Sequence, residues 1–248
     1  SGLPWYLFHL SNIHMAVLGY WPSGTNHFWS LAMQQQFYLI WPLVIWFLPR
    51  KLLVPVMLVF TAIGPVSRVF NDFFLPWFAW PDVLTLANLD YFGIGSLLAW
   101  AVHRGMSLES SGLRGLAAVG LVGYLGIFGA HALGLPTFGL RPFQQTLLAI
   151  AWCGFIAATL VGFSGLPQKL LEHPAIQRVG KLSYGLYLFH NLAPLVTGKL
   201  FFFLWNGSFE RGPGALLIII LNTAIARGLT LASWRWIEQP LQQVRAKL

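Results

Sequence analysis

Seven stretches of about twenty residues run through this chain with hardly a charge inside them. They are roughly Phe28–Leu48, Leu52–Phe70, Val83–Val102, Leu113–Leu133, Phe143–Phe163, Leu182–Leu204 and Ala215–Trp236. A helix of ~20 apolar residues is what the ~30 Å hydrocarbon core of a bilayer requires. Composition points the same way: 56% of the 248 residues are apolar and 9% are charged, against about a quarter charged in a soluble domain. Hydrocarbon offers backbone groups no hydrogen bonds, so spanning segments of this length must be helical. The sequence predicts an all-α, polytopic membrane helix bundle of about seven transmembrane helices, organised as one domain over residues 1–248. Pro49, Pro76, Pro81, Gly112, Pro136, Pro142, Pro167 and Pro174 mark the turns. The lead-in Ser1–Tyr20 reads as an external segment containing a half-helix at the membrane surface.

The net charge of +8 does not mean a nucleic-acid partner, because Lys and Arg are scattered singly between apolar runs instead of forming a basic block. Their distribution sets orientation. Arg50, Lys51, Arg104, Arg114, Lys169, Arg178, Lys181, Arg235, Arg245 and Lys247 follow the odd-numbered segments, whereas only Arg68, Arg141 and Arg211 fall on the opposite side. That asymmetry puts the C-terminus in the cytoplasm and His27 on the outer side. Cys153 is the single cysteine and reads as a small apolar packing residue. No H-E-x-x-H, C-x-x-C or G-x-S-x-G run occurs, which argues against a metal site, a bound cofactor and a lipase-type hydrolase.

Polar residues within the apolar segments carry the functional information. On a helix beginning near Phe28, Ser30, Gln34, Tyr38 and Trp41 share one stripe and Gln36 points to the other side. Such a stripe marks a lined cavity or an interhelical hydrogen-bond seam. Asn88 and Asp90 open the third segment. Ser183, Tyr187 and His190 share a stripe on the sixth, beside Tyr184, and Asn191-x-x-Pro194 predicts a kink. Arg227 lies deep in the last segment, where a buried cation could hold an anion or neutralise Asp90. Gly120, Gly123, Gly126 and Gly129 read as a close-packing face.

These stretches resemble the membrane acyltransferase 3 family. His27, Trp29, Ser30, Leu31, Gln36, Phe37, Tyr38, Trp41 and Pro42 match H-x-W-S-L-x-V-E-x-Q-F-Y-x-x-W-P; Asp90 and Gly95 match R-x-D-x-x-x-x-G; Gly180, Ser183, Tyr184, Tyr187, Leu188 and His190 resemble the late signature; Ser233, Ile237, Glu238 and Pro240 resemble the terminal one. Gln34 stands where the family has glutamate and Asn88 where it has arginine. Both departures exchange a charge for a neutral amide, so Gln34 and Asn88 are expected to form a pair. Arg235 and Glu238 are expected to make a helix-end ion pair that fastens the C-terminus.

The resemblance implies a ten-helix fold of which the last seven are present, in a bacterial inner membrane. It further implies transfer of an acyl group, usually acetyl, from acyl-CoA as co-substrate to a hydroxyl of a carbohydrate or glycan acceptor. The family's catalytic histidine belongs to the first helices, so the resemblance assigns no residue here to that role and implies an inactive isolated chain. The alternative is a non-catalytic relative or transporter-like module that kept the fold and lost two charges.

Overall fold

A computed structural model of the chain describes residues 2–19, 21–74, 81–137, 139–205 and 213–245, and among them every regular element is helical. The turn residue Pro76 and the cations Arg211 and Lys247 lie outside the described residues. By contacts the chain divides into two units, Ser1–Tyr20 with Trp29–Phe163, and Trp21–Phe28 with Ser164–Leu248.

The first unit begins with two short helices, α1 (Leu3–Leu7) and α2 (Ser11–Leu18). Gly19 closes α2 in the left-handed conformation at φ 62°, a cap that costs a residue without Cβ nothing sterically. The lead-in is more than a surface half-helix: α2 buries Ser11, Asn12, Met15 and Ala16, and Met15 and Ala16 pack with Val83, Leu84 and Trp29. Next come α3 (Phe28–Phe47) and α4 (Arg50–Phe74). Two 3₁₀ turns, Pro81–Val83 and Thr85–Asn88, then lead into α5 (Leu89–His103). The helices α6 (Ser111–Ala132) and α7 (Gln144–Val161) complete the unit.

In the second unit, α8 (Leu166–Leu171) and α9 (Pro174–Phe189) precede α10 (Ala193–Trp205) and α11 (Pro213–Ser233). A π-helical turn, Trp234–Glu238, runs into α12 (Gln239–Arg245). The predicted sixth span is therefore two helices, broken at residues 190–192 where the Asn191-x-x-Pro194 kink was expected. Pro194 has no N–H to give the preceding turn, and Asn191 bonds the Asn26 side chain instead.

Four helical stretches among the described residues are long and apolar enough to cross a membrane: Arg50–Phe74, Ser111–Ala132, Arg141–Val161 and Gly214–Val244. The helix α3 has the length, at 20 residues, but three glutamines lower its mean hydropathy. At 15 residues, α5 is only about 22 Å long and owes the rest of its predicted span to the turns before it. The chain is an all-α integral membrane protein.

Glycine sets the close approaches in the first unit. A Cβ on Gly93 would stand 2.5 Å from Thr61 Oγ1, and one on Gly64 would stand 2.5 Å from Asp90 Cγ, so α4 and α5 meet backbone to backbone. The expected glycine face of α6 holds only in part. Gly120 faces the α7 backbone and Gly123 faces Leu147, while Gly126 and Gly129 meet nothing within 4 Å. The reason is geometric: steps of three residues rotate about 60° short of a full turn each, so the stripe winds off the interface.

Accordingly, Gly120→Ala, whose Cβ would lie 2.7 Å from the Leu147 carbonyl oxygen, is expected to destabilise by ~1–3 kcal/mol. Gly129→Ala is expected to be neutral or stabilising by up to ~1 kcal/mol through helix propensity. Thermal unfolding of the two variants in detergent checks the contrast.

Candidate functional site

A buried ion pair lies at the heart of the first unit. Arg68 is 5% and Asp90 0% exposed, and Arg68 Nη2 meets Asp90 Oδ2 at 2.7 Å. All five guanidinium N–H groups have acceptors. Nε donates to the Pro142 carbonyl at 2.6 Å, and Nη1 to the Ala87 carbonyl and to Asp90 Oδ1. Nη2 donates to Asp90 Oδ2 and to Thr146 Oγ1 at 2.8 Å. The Thr146 hydroxyl passes its proton on to Asp90 Oδ2 at 2.6 Å, and the Tyr91 N–H donates to Asp90 Oδ1. Satisfaction this complete is what allows a buried pair to survive its desolvation cost. The expectation that Arg227 neutralises Asp90 is thus corrected: Arg68 does so, and Arg227 is exposed. Arg68 counts among loop cations when the second span is ended at Phe70, yet it is a lone charge one helical turn after Gly64, which is the signal that could have found it.

Around this pair the first unit encloses a chamber of about 740 Å³, well within the size of small-molecule sites. Its lining is dense in hydrogen-bonding groups: Gln34, Asn88, Gln144 and Gln145 supply amides, Asp72 and Asp82 carboxylates, and Arg68 and Arg141 cations. Trp29, Tyr91 and Phe92 supply aromatic walls. The Tyr91 hydroxyl donates to Gln145 Oε1 at 2.6 Å. At the wall, desolvation and then the neighbouring Asp72 charge push the Asp82 carboxyl above its usual range, while Arg68 and Arg141 pull it back. Gln34 and Asn88 do line one chamber, but Asn88 donates both amide hydrogens to the Asp82 and Leu84 carbonyls. Its amide is therefore committed to the 3₁₀ turns and not to Gln34.

Gln36 has a different task. Its Nε2 donates to Asn12 Oδ1 at 2.9 Å and to the His9 carbonyl at 2.7 Å, Asn12 donates to Thr85 Oγ1 at 3.1 Å, and Thr85 donates to Gln36 Oε1. The ring of three side chains ties α2, α3 and the second 3₁₀ turn together. Nothing in the local pattern around Asn12 or Thr85 announced it. Tyr38 is 59% exposed and does not continue the stripe into the chamber, while Ser30 is half-buried one turn before Gln34.

In the second unit His27 is the hub. Asn191 Nδ2 donates to His27 Nδ1 at 3.1 Å, which leaves Nε2 as the protonated nitrogen, donating to the Leu188 carbonyl at 3.2 Å. The Tyr187 hydroxyl donates to the His27 carbonyl at 3.0 Å, and the His190 ring centre lies 4.8 Å from that of His27. Burial, then the nearby His190, hold the His27 imidazole below its ordinary pKa, against the pull of the Leu188 bond. His190 donates from Nδ1 to the Tyr187 carbonyl at 2.7 Å. Among the described residues Ser183 donates to the Gly180 carbonyl, and Tyr184 is 56% exposed; neither joins the cluster.

The expected Arg235–Glu238 ion pair is replaced by a bond from Ser233 Oγ to Glu238 Oε1 at 3.0 Å. In a π-helical turn the residue five positions on returns to the same face, so Ser233 meets Glu238 and Arg235 is carried aside. Pro240 is the second residue of α12, directly after the π-helical turn, and has no N–H to give that turn. Among the described residues no group of three His, Cys, Asp or Glu could hold a metal ion.

Comparison with known proteins places these features. The family model described as "Acyltransferase domain" (acyltransferase 3) matches residues 2–230. The chain is similar to the peptidoglycan O-acetyltransferase OatA of Listeria monocytogenes, 25% identical over 96% of this chain and 38% of the relative. It is also similar to the O-acetyltransferase OatA of Staphylococcus aureus, 26% identical over 88% of this chain and 36% of the relative. The chain thus spans little more than a third of the length of these curated relatives. No solved structure matches.

Two outcomes are expected. Asp90→Asn or Arg68→Met should each cost ~3–5 kcal/mol by stranding a buried charge or its donors, and the double variant Arg68→Met/Asp90→Leu should recover part of the loss; unfolding in detergent measures the cycle. The second concerns pH. Because folding lowers the His27 pKa from 6.5, the unfolded chain binds the proton first as pH falls. Stability of the second unit should therefore be full above pH ~6.5 and decline below it as pH falls towards the native pKa. Hydrogen exchange at residues 186–191 should show this decline, and His27→Gln should flatten it.

Proposed function

Because the chain belongs to the acyltransferase 3 family, we propose that it is the membrane part of an O-acyltransferase whose acceptor hydroxyl is presented in the chamber of the first unit. One observation carries the reading: a chamber lined by four side-chain amides, two carboxylates, two cations and Trp29. Closely spaced donors and acceptors beside an aromatic face suit a polyhydroxylated ring, in which each hydroxyl both gives and accepts a hydrogen bond. The names of the relatives support a carbohydrate acceptor, a glycan of the peptidoglycan kind, and an acetyl group. The bacterial relatives support a bacterial inner membrane, and the distribution of Lys and Arg supports a C-terminus in the cytoplasm. The chamber then opens to the outer side, since Asp72, Asp82 and Arg141 stand at the ends of segments opposite the cation-rich ones.

The donor is acyl-CoA, as the family resemblance implies. The acceptor oxygen forms a bond to the thioester carbonyl carbon, the carbon–sulfur bond breaks, and the hydroxyl proton passes to a base while CoA leaves as its thiolate. Gln34 can orient a hydroxyl, and neither Gln34 nor Asn88 accepts a proton at neutral pH. Among the described residues lining the chamber there is no histidine, and His27 has both ring nitrogens engaged. On the family resemblance, which assigns the catalytic histidine to no residue here, the chain alone binds acceptor without completing the transfer. Gln34 and Asn88 standing where the family carries charges also favours a second reading, a non-catalytic relative that binds the same acceptor.

In nanodiscs, an N-acetylhexosamine disaccharide is expected to bind the purified chain, and Gln34→Ala or Asp82→Asn to weaken it roughly two- to tenfold, the value of one or two hydrogen bonds. Unchanged affinity in both variants contradicts the acceptor site. Acetyl-CoA should release no acceptor-dependent CoA from this chain alone. Turnover that appears in the Gln34→Glu/Asn88→Arg variant would favour the second reading for the natural residues.

A further inference from the structure

Charge within the chamber does not balance. Arg68 spends its charge on Asp90, which leaves Asp72 and Asp82 against the cation Arg141 among the charged residues of the lining. Among the described residues no ion pair or hydrogen bond reaches the side chains of these three. Asp72 lies within electrostatic reach of Asp82, so two like charges face the same space. A third oxygen joins them. Asn88 donates to the Asp82 carbonyl at 2.7 Å and to the Leu84 carbonyl at 3.0 Å, which holds its amide beside residue 82. The residue is only 8% exposed and lines the chamber, yet its Oδ1 receives no hydrogen bond among the described residues. Nor is that oxygen walled in. Among the described residues the enclosed polar side-chain atom without a partner is Asn71 Nδ2, so Asn88 Oδ1 keeps surface open to the chamber.

We infer that the chamber prefers a sugar carrying a free amine, whose ammonium group is received by Asp72, Asp82 and Asn88 Oδ1. The inference rests on the reading of the chamber as a carbohydrate site and narrows it from hydroxyls in general to an amino sugar. An ammonium offers three donors and no lone pair, which matches three side chains whose open atoms are all oxygens. An N-acetylated ring offers one N–H in the same place and adds a carbonyl oxygen where oxygens already crowd. A uronic acid would bring a third carboxylate against two, an arrangement that rejects the ligand. A divalent metal ion fits less well, because it asks for about six to eight oxygens and would stand in the field of Arg68 and Arg141. Asp72 and Asp82 are both exposed, so the preference has the size of a solvated charge pair and not of a buried one.

The full chain in phosphatidylcholine nanodiscs is titrated by calorimetry at pH ~6.5, between the carboxylate and amine ranges. The probes are a disaccharide of glucosamine, its N-acetylated counterpart and a disaccharide of glucuronic acid. The amino disaccharide should bind about fivefold more tightly than the N-acetylated one, and the uronic one most weakly. Asp82→Asn and Asp72→Asn should each reduce that preference to within about twofold. Asp82→Glu keeps the charge, should retain the preference and serves as the folding control. Equal affinity of the natural chain for the amino and N-acetylated disaccharides overturns the inference while the chamber reading stands. So does a preference that survives in both asparagine variants, which places the amine elsewhere, or displacement of the amino disaccharide by equimolar calcium chloride, which marks a metal site. Failure of both the amino and the N-acetylated disaccharide to bind the natural chain removes the chamber reading itself.

Discussion

The first unit is built round one requirement, that the Arg68–Asp90 pair be fully hydrogen-bonded once it is taken out of water. An unpaired charge there would cost more than most single packing contacts return, so the acceptors of Arg68 are constrained together. They are the Ala87 carbonyl in the second 3₁₀ turn, the Pro142 carbonyl before α7, and Thr146 in its first turn. These same short elements carry Asn88, Gln144 and Gln145 into the chamber, and the first 3₁₀ turn adds Asp82. Gly64 leaves the space that Asp90 fills. The ion pair therefore acts as a positioning device: it holds the walls at which the proposed acceptor binds, with Gln34, Asp72, Asp82 and Arg141 among the polar side chains of that lining.

Much of the architecture was legible from periodicity and composition, because in a membrane chain the solvent dictates both helix length and backbone pairing. The break in the sixth span was legible too, from Pro194 and Asn191. What sequence could not show was which polar residues meet. Gln34 and Gln36 are equivalent by type, yet one lines a cavity and the other closes a ring with Asn12 and Thr85, residues 24 and 49 positions away. Arg68 and Arg227 were both lone cations in apolar helices; only the tertiary contact decided that Asp90 belongs to Arg68. The π-helical turn near the C-terminus likewise moved Glu238 from Arg235 to Ser233, a shift that spacing rules for an α-helix do not anticipate.

Two polar centres emerge, one in each unit, with different chemistry. The chamber of the first combines hydrogen-bonding capacity with opposed charges and aromatic walls, which favours binding and orientation. The histidine cluster of the second fixes His27 as a donor and acceptor through its two ring nitrogens and ties His190 to the Tyr187 carbonyl. The family assignment covers both, and the chain's coverage of little more than a third of its relatives' length makes the partition useful: acceptor binding can be examined separately from turnover.

The most direct measurement is photo-crosslinking of the chain in nanodiscs with a diazirine-bearing N-acetylhexosamine, followed by mass spectrometric mapping of the labelled residues. The account predicts labels on the chamber lining, at Trp29, Gln34, Asp82, Tyr91 or Arg141, with loss of label on competition by unmodified sugar. Labels confined to residues outside that lining, or labels indifferent to competitor, would contradict it.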